Sequence, residues 1–137
     1  MEITNQTKYE IRPNIVEEVV KYVLEKENNL GEVSITFVEK DEITALNENY
    51  RKKEGPTDVL TFRYNDEDIL GEIIVCPEIV ERNAKDFGLE FIEELLLTLV
   101  HSSLHLCGYD HEYSQENAKE MFEKQEKYFN ELREKLL

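Results

Sequence analysis

Residues 91–111 read FIEELLLTLVHSSLHLCGYDH and contain all three histidines of the chain. The apolar part of this stretch predicts a helix that is buried on most sides. His101 and His105 are four residues apart in that helix, so they share one face with Cβ atoms roughly 5–6 Å apart. Gly108 is expected to end the helix, because glycine readily takes the left-handed conformation found at helix ends. The reversed chain can then bring His111 toward the other two, and we expect three imidazoles to converge.

Three convergent histidines predict a catalytic metal site rather than a structural one. Zinc with three protein ligands keeps its fourth tetrahedral position open for water or substrate. Bound zinc lowers the pKa of that water to about 7, which supplies hydroxide at neutral pH. The alternative is that these are ordinary helix and loop histidines that bind no metal. That alternative is favoured for any one histidine considered alone, but not for all three together. The residue types leave the metal open, since imidazoles also accept nickel, copper or iron.

Length and composition limit the class of protein. A chain of 137 residues, 40% of them hydrophobic, fits one domain with a full core, and we predict a single domain over residues 1–137. Its apolar runs are too short to span a bilayer and its N-terminus lacks a secretory pattern, so we expect a cytoplasmic location and no membrane partner. Two cysteines are too few for a disulfide framework. We expect Cys76 to be buried, and Cys107 to support the site or the core rather than bind metal, because it lies about 200° around the helix from His105.

The net charge of −15 argues against a general nucleic-acid binder, because such proteins usually carry a basic surface. Any contact with RNA would have to be local. The only dense cluster of cations is Arg51, Lys52 and Lys53, in a turn-rich segment that leads into a strand. The planar fork of Arg51 matches phosphate oxygens, and the two lysines could hold neighbouring backbone phosphates. Arg51 could instead form a surface salt bridge with one of the 31 acidic residues. From composition alone, this salt bridge is favoured over phosphate binding.

Hydrophobic periodicity outlines the rest of the chain. Four strands and about five helices, with an early strand–helix alternation and a central hairpin, predict an α+β fold: a single mixed sheet with the metal-binding helix central. The apolar stripe of the last helix (Met121, Phe122, Tyr128, Phe129 and Leu132) is expected to be core rather than a binding surface. The predicted strands are 2–5, 33–37, 59–62 and 71–76, with a hairpin turn at 65–68. Five helices are predicted: one that starts at Pro13, a second that Asp41 caps, a third from Pro77 to near Gly88, a fourth over 90–106, and a fifth from its cap Ser114 to about 136.

The histidine spacing, with Gly108 at +7, is that of the metzincin peptidases, whose motif places a glutamate directly after the first histidine as general base. Ser102 holds that position here, and a serine cannot take a proton as a carboxylate does. The metal site therefore stands while a peptidase mechanism is disfavoured, although a metallopeptidase-like or other metallohydrolase remains an alternative. Asp110 or Glu112 could replace the glutamate as general base. The favoured roles are different, however: Asp110 is expected to support a histidine, and Glu112 to be exposed to solvent. A metal and a guanidinium together suit a phosphoryl transition state, with Arg51 as the cation.

Two blocks of residues carry a family resemblance. The first comprises residues 46–53 (LNENYRKK), 56–62 (PTDVLTF) and 70–73 (LGEI), and the second comprises residues 100–112 with their Gly-Tyr-Asp-His sequence. On these residues the chain resembles the YbeY family of bacterial endoribonucleases, along nearly its whole length. Three positions depart from the family pattern: Ser102 stands where glycine is usual, Glu72 where aspartate is usual, and Arg63 where proline is common.

The resemblance implies a zinc-dependent, single-strand-specific endoribonuclease that acts in ribosomal RNA processing and maturation, including the 3′ end of small-subunit RNA, and in ribosome quality control. It implies one zinc per chain, held by His101, His105 and His111, and a catalytic, substrate-binding role for Arg51. Lys53 is a further substrate-binding candidate. The expected partners are single-stranded or ribosomal RNA and the small ribosomal subunit or its proteins. A non-catalytic, ribosome-associated zinc-binding module is the other alternative.

Overall fold

The computed structural model describes residues 1–64, 66, 68–110 and 114–137. Five helices and one mixed four-stranded sheet form in this part of the chain, which confirms the predicted α+β fold. In chain order the elements are β1 (Glu2–Asn5), α1 (Pro13–Lys26), β2 (Glu32–Phe37), α2 (Lys40–Tyr50), β3 (Val59–Arg63), β4 (Ile69–Val75), α3 (Pro77–Phe87), α4 (Phe91–Leu106) and α5 (Gln115–Leu136).

The sheet has the strand order β1-β2-β4-β3. β1, β2 and β4 run parallel, and α1 connects β1 to β2 because parallel neighbours need a crossover rather than a tight turn. β3 pairs antiparallel with β4, in a register that runs from Val59 opposite Val75 to Arg63 opposite Gly71. β3 is therefore an edge strand of this sheet, and α4 packs against it.

Side chains of β3 alternate between the two faces of the sheet, as the pleat of a strand requires. Leu60 and Phe62 belong to a small core with residues of α2 and the first turn of α3. Val59, Thr61 and Arg63 point to the opposite face and line a cleft with residues of α4. The alternation thus decides which residues of β3 can reach α4.

The larger core lies on the α4 side of the sheet, among residues of β2, β4, α1, α4 and α5. Leu96, Leu99 and Leu104 of α4 are at most 1% exposed. α4 packs against α1, α3, α5, β3 and β4, so the helix that carries two of the histidines is central, as predicted. Burial on most sides fixes its backbone and hence the positions of the side chains that face the cleft.

The helix ends follow the predicted signals in most places. Pro13 and Pro77 occupy first turns, and Gly88 closes α3 in the left-handed region with φ 69°. Ser114 caps α5 by accepting a hydrogen bond from the backbone N–H of Asn117 at 3.0 Å. Gly108 follows the end of α4 with φ 99°, the left-handed conformation expected there.

Two details of the helix predictions were wrong. α2 begins at Lys40 with Glu39 as its cap, so Asp41 lies in the first turn, where its carboxylate faces the positive end of the helix dipole. Phe122 is 58% exposed, because Met121 beside it takes the inward position and a helix turns about 100° per residue. The remaining stripe residues of α5 do pack in or against the larger core.

The β3–β4 hairpin is confirmed, although Asn65 and Glu67 of its predicted turn lie outside the described residues. Oδ1 of Asp66 accepts hydrogen bonds from the backbone N–H groups of Asp68 and Ile69 at 2.8 and 3.3 Å. β4 begins at Ile69, two residues before the predicted start at Gly71. In the described ranges no helix is both long and apolar enough to cross a membrane.

Candidate active site

A cleft of about 600 Å³ lies between β3 and α4. α4 contributes one face of its helix, the stripe Glu94, Thr98, His101 and His105, whose spacing of 4, 3 and 4 residues keeps all four side chains on one side. The other lining residues are Arg51 after α2, Thr57, Asp58, Val59, Thr61 and Arg63 of β3 and the turn before it, Leu97, Gln125 of α5, and Gly108, Tyr109 and Asp110 after α4.

His101 and His105 face each other in the cleft. Their Nε2 atoms are 3.0 Å apart and their rings are nearly perpendicular, at 79°. Two nitrogens that bind one tetrahedral zinc at about 2.0–2.1 Å lie roughly 3.3 Å from each other. The two histidines therefore fit as neighbouring ligands of one metal ion.

Gln125 of α5 contacts the other ring nitrogen of His101. Nδ1 of His101 and Oε1 of Gln125 are 2.6 Å apart, and an amide oxygen can only accept, so the Nδ1–H group donates. A proton on Nδ1 leaves the Nε2 lone pair of the neutral ring directed at the cleft, as a metal ligand requires. Gln125 was not predicted as a site residue. Its signal was a polar residue on the inward stripe of α5, between Met121 and Tyr128 at helical spacing.

His111, the third predicted ligand, lies outside the described residues, as does Glu112. Among the residues that are described, no group of three or more histidine, cysteine, aspartate or glutamate side chains is placed to hold a metal. Asp110 lines the cleft, and its backbone N–H donates to Oδ1 of Asn117 at 2.7 Å. The structure thus brings two of the three predicted ligands together, and the role of His111 stays a prediction.

Arg51 lines the cleft from the end of α2, with an exposed side chain. It forms no ion pair with any described residue, so the competing surface salt bridge is not observed there. Nδ2 of buried Asn47 donates to the carbonyl oxygen of Gly55 at 2.9 Å and so shapes the loop that follows Arg51. Lys53 is exposed but does not line the cleft, and its substrate-binding role stays a prediction.

The two cysteines and Ser102 lie away from the cleft lining. Cys76 is fully buried, as predicted. Cys107 packs against the larger core, and burial raises the pKa of its thiol to about 11, which disfavours the thiolate that a metal ligand needs. Ser102 is also fully buried, so the residue directly after the first histidine does not reach the cleft as a general base would.

Glu94 and Asp58 form an acidic end of the cleft that the sequence analysis missed. Glu94 is only 5% exposed, and its Oε2 atom has no hydrogen-bond partner among the described residues. Burial, and then the charge of Asp58, raise the pKa of Glu94 and favour its neutral form, which can donate a hydrogen bond. The only sequence signal for Glu94 as a site residue was its position seven residues, or two helical turns, before His101.

Glu27 anchors the loop that follows α4. Its carboxylate accepts hydrogen bonds from Tyr109 Oη at 2.8 Å, from Lys124 Nζ at 3.0 Å and from Tyr128 Oη. Burial acts to raise the pKa of Glu27, but the hydrogen bonds from Tyr128, Lys124 and Tyr109 outweigh it and lower the pKa. The network therefore ties Tyr109, a lining residue next to Asp110, to both α1 and α5.

Comparison with known proteins gives a consistent result. The family model for endoribonuclease YbeY matches residues 2–133. Endoribonuclease YbeY of Thermotoga petrophila is 49% identical over 117 residues, which cover 85% of this chain and 78% of the relative. The protein of the same name from Carboxydothermus hydrogenoformans is 38% identical, with 96% of each chain covered. The solution structure of TM1509 from Thermotoga maritima is similar with a TM-score of 0.70 and 43% identity, over 96% of this chain and 87% of the other.

Proposed function

The chain belongs to the endoribonuclease YbeY family, and from that premise we propose that it cleaves single-stranded RNA, with zinc, in the cleft between β3 and α4. Family membership supports endoribonuclease activity. The observation that carries the proposal for the site is the pair of Nε2 atoms 3.0 Å apart, in a cleft that Arg51 also lines.

The proposed zinc would be held by His101 and His105, with His111 as the third ligand and one ion per chain. When bound at such a site, zinc supplies an activated water at neutral pH and polarises a phosphoryl oxygen. Gln125 favours the tautomer of His101 whose Nε2 lone pair can bind a metal. Support from such a partner is worth a factor of about 10–100 in metal affinity in known sites.

Arg51 is the residue proposed to act on the substrate directly. Its guanidinium can bind two oxygens of one phosphate at once and stabilise negative charge that develops on them during cleavage. Because the Arg51 guanidinium already lies in a partly enclosed cleft, its surroundings need little rearrangement when negative charge develops on the phosphate. The lack of an ion pair with any described residue leaves this guanidinium available for phosphate.

The charge of the chain supports a single-stranded substrate. The 16 lysines and arginines of the chain are outnumbered by 31 acidic residues, which disfavours binding along a duplex, because that relies on many phosphate contacts. Contacts confined to one cleft suit a single strand whose phosphate can enter it. Lys53 lies near Arg51 in sequence and is proposed to hold a phosphate outside the cleft.

The proposed biological substrate is ribosomal RNA, with roles in maturation of the 3′ end of small-subunit RNA and in ribosome quality control. Support comes from the resemblance at the residues that line the cleft, not from any contact in the structure. An acidic protein can be brought to RNA by basic partners, and proteins of the small ribosomal subunit are mostly basic.

The test compares the protein and its Arg51→Ala variant on single-stranded RNA, on a duplex of the same sequence and on peptides. We expect cleavage of the single strand only, and a loss of about 100-fold or more in kcat for Arg51→Ala, as when an oxyanion-stabilising donor is removed. Arg82→Ala is the matched control, since Arg82 is exposed on α3 and does not line the cleft. Peptide cleavage would favour a metallopeptidase, and RNA binding without turnover would favour a zinc-binding module.

A further inference from the structure

A second arginine, Arg63, lies in the same cleft as the histidine pair. It is the last residue of β3, and the strand alternation directs it to the α4 side together with Val59 and Thr61. Its partner across the sheet is Gly71, so β4 offers no side chain directly opposite it. The cleft therefore has a cation on an element different from the one that presents Arg51.

The exposed guanidinium of Arg63 lies close to the loop that follows α4. A Cβ atom built on Gly108 would lie 3.3 Å from Nη1 of Arg63 and 3.6 Å from both Cζ and Nη2. The end of the Arg63 side chain therefore lies close to Gly108, where the side chain of any other residue would press against the guanidinium.

No described residue forms an ion pair with Arg63. The nearest acidic residue along β4, Glu72, pairs across the sheet with Phe62, whose side chain points to the opposite face. The Oε2 atom of Glu72 instead accepts a hydrogen bond from Tyr64 Oη at 2.7 Å. Although the chain has 31 acidic residues, no described carboxylate pairs with this guanidinium, which is therefore suited to an external anion in the cleft.

We propose that Arg63 binds a second phosphate of the RNA strand, adjacent to the phosphate that is cleaved. The proposal rests on the proposed function and deepens it, because the cleft then recognises a strand with at least two phosphates rather than a single phosphodiester. A guanidinium binds phosphate through parallel N–H···O bonds, so the contact fixes the position of the strand as well as adding affinity.

The experiment measures binding of a fluorescent single-stranded oligonucleotide to metal-free protein at several salt concentrations, beside cleavage of a dinucleotide and a longer strand. For Arg63→Ala we expect the slope of log affinity against log salt to become shallower by about 0.7, the value of one phosphate contact on a single strand. The loss in kcat/KM should be about 10-fold greater for the longer strand than for the dinucleotide, as expected for one charged hydrogen-bonded contact.

Arg63→Lys keeps the charge without the planar fork, so it should retain the salt slope and lose part of the affinity. Arg82→Ala should match the unaltered protein in both measurements, and thermal unfolding of each variant checks the fold. Equal binding and equal cleavage by Arg63→Ala would overturn the second phosphate site while leaving the proposed nuclease intact. RNA binding that depends on Arg63 without any cleavage would support the phosphate site and contradict the nuclease.

Discussion

Gln125 decides which nitrogen of His101 faces the cleft. An imidazole has one lone pair when neutral, and the hydrogen bond to Gln125 places the proton on Nδ1. The ring is also held in position, since α5 packs on α4 with Met121 and Tyr128 buried on either side of Gln125. Gln125 can thus act on the proposed metal site through its single contact with His101.

Replacement of Gln125 with alanine should weaken zinc binding by about 10–100-fold, because the Nδ1–H group loses its acceptor and the ring its orientation. Competition with a chelator of known affinity measures this change without any activity assay. Gln125→Glu keeps an acceptor oxygen at the same distance along the side chain and should restore most of the affinity. Unchanged zinc affinity in Gln125→Ala would remove Gln125 from the account.

At the scale of elements, one carboxylate connects α1, α5 and the loop after α4. The Glu27 side chain is 8% exposed and accepts hydrogen bonds from Tyr109, Lys124 and Tyr128. A buried carboxylate with such partners is stable, but removal of its charge leaves the partners unpaired. The free energy of this network depends on the protonation of Glu27.

Because the folded-state pKa of Glu27 is lowered, its contribution to stability is fully present above the ordinary glutamate pKa of about 4.3 and is lost as the pH falls through the folded value. We expect Glu27→Gln to lower the free energy of unfolding by about 1–3 kcal/mol at pH 7. Urea unfolding should show that the difference from the unaltered protein shrinks below about pH 4.

Glu25→Gln is the control for this measurement, since Glu25 is exposed in the last turn of α1, two residues before Glu27, and should change stability by less than about 0.5 kcal/mol. A difference for Glu27→Gln that stays constant down to pH 3 would contradict the lowered pKa as its cause.

The elements themselves could be predicted from the sequence almost completely. Hydrophobic spacing, Pro13, Pro77, Gly88 and Gly108 are local signals, and each marks the helix start or end that the structure shows. The predicted cap of α2 and the predicted burial of Phe122 were wrong, because each differs from the observed structure by a shift of only one or two residues. Local patterns do not resolve shifts of that size when neighbouring residues could serve equally well.

Across the whole molecule, the sequence located the histidine pair and Arg51 but not most of the other residues that line the cleft. The histidine spacing is local, so His101 and His105 were found and do face each other. Arg63 and Gln125 were not predicted as site residues, because each reaches the cleft only through packing between elements distant in sequence. Glu94 shares the helix face of the histidines, but the sequence alone does not show that the cleft extends to it. Periodicity gives the face of an element on which a residue lies, but not the partner that this face meets.

The central claim is that the histidine pair belongs to a zinc site that cleaves RNA. The most direct measurement is the metal content of the purified protein and of His105→Ala, together with cleavage of a single-stranded RNA before and after chelation. Cys107→Ala is the matched control, since Cys107 is a possible ligand beside the histidines but does not line the cleft.

We predict about one zinc per chain in the unaltered protein and in Cys107→Ala, and loss of both zinc and cleavage in His105→Ala, with cleavage also lost on chelation. Cleavage that survives chelation, or a His105→Ala variant that keeps its zinc and its activity, would contradict the account.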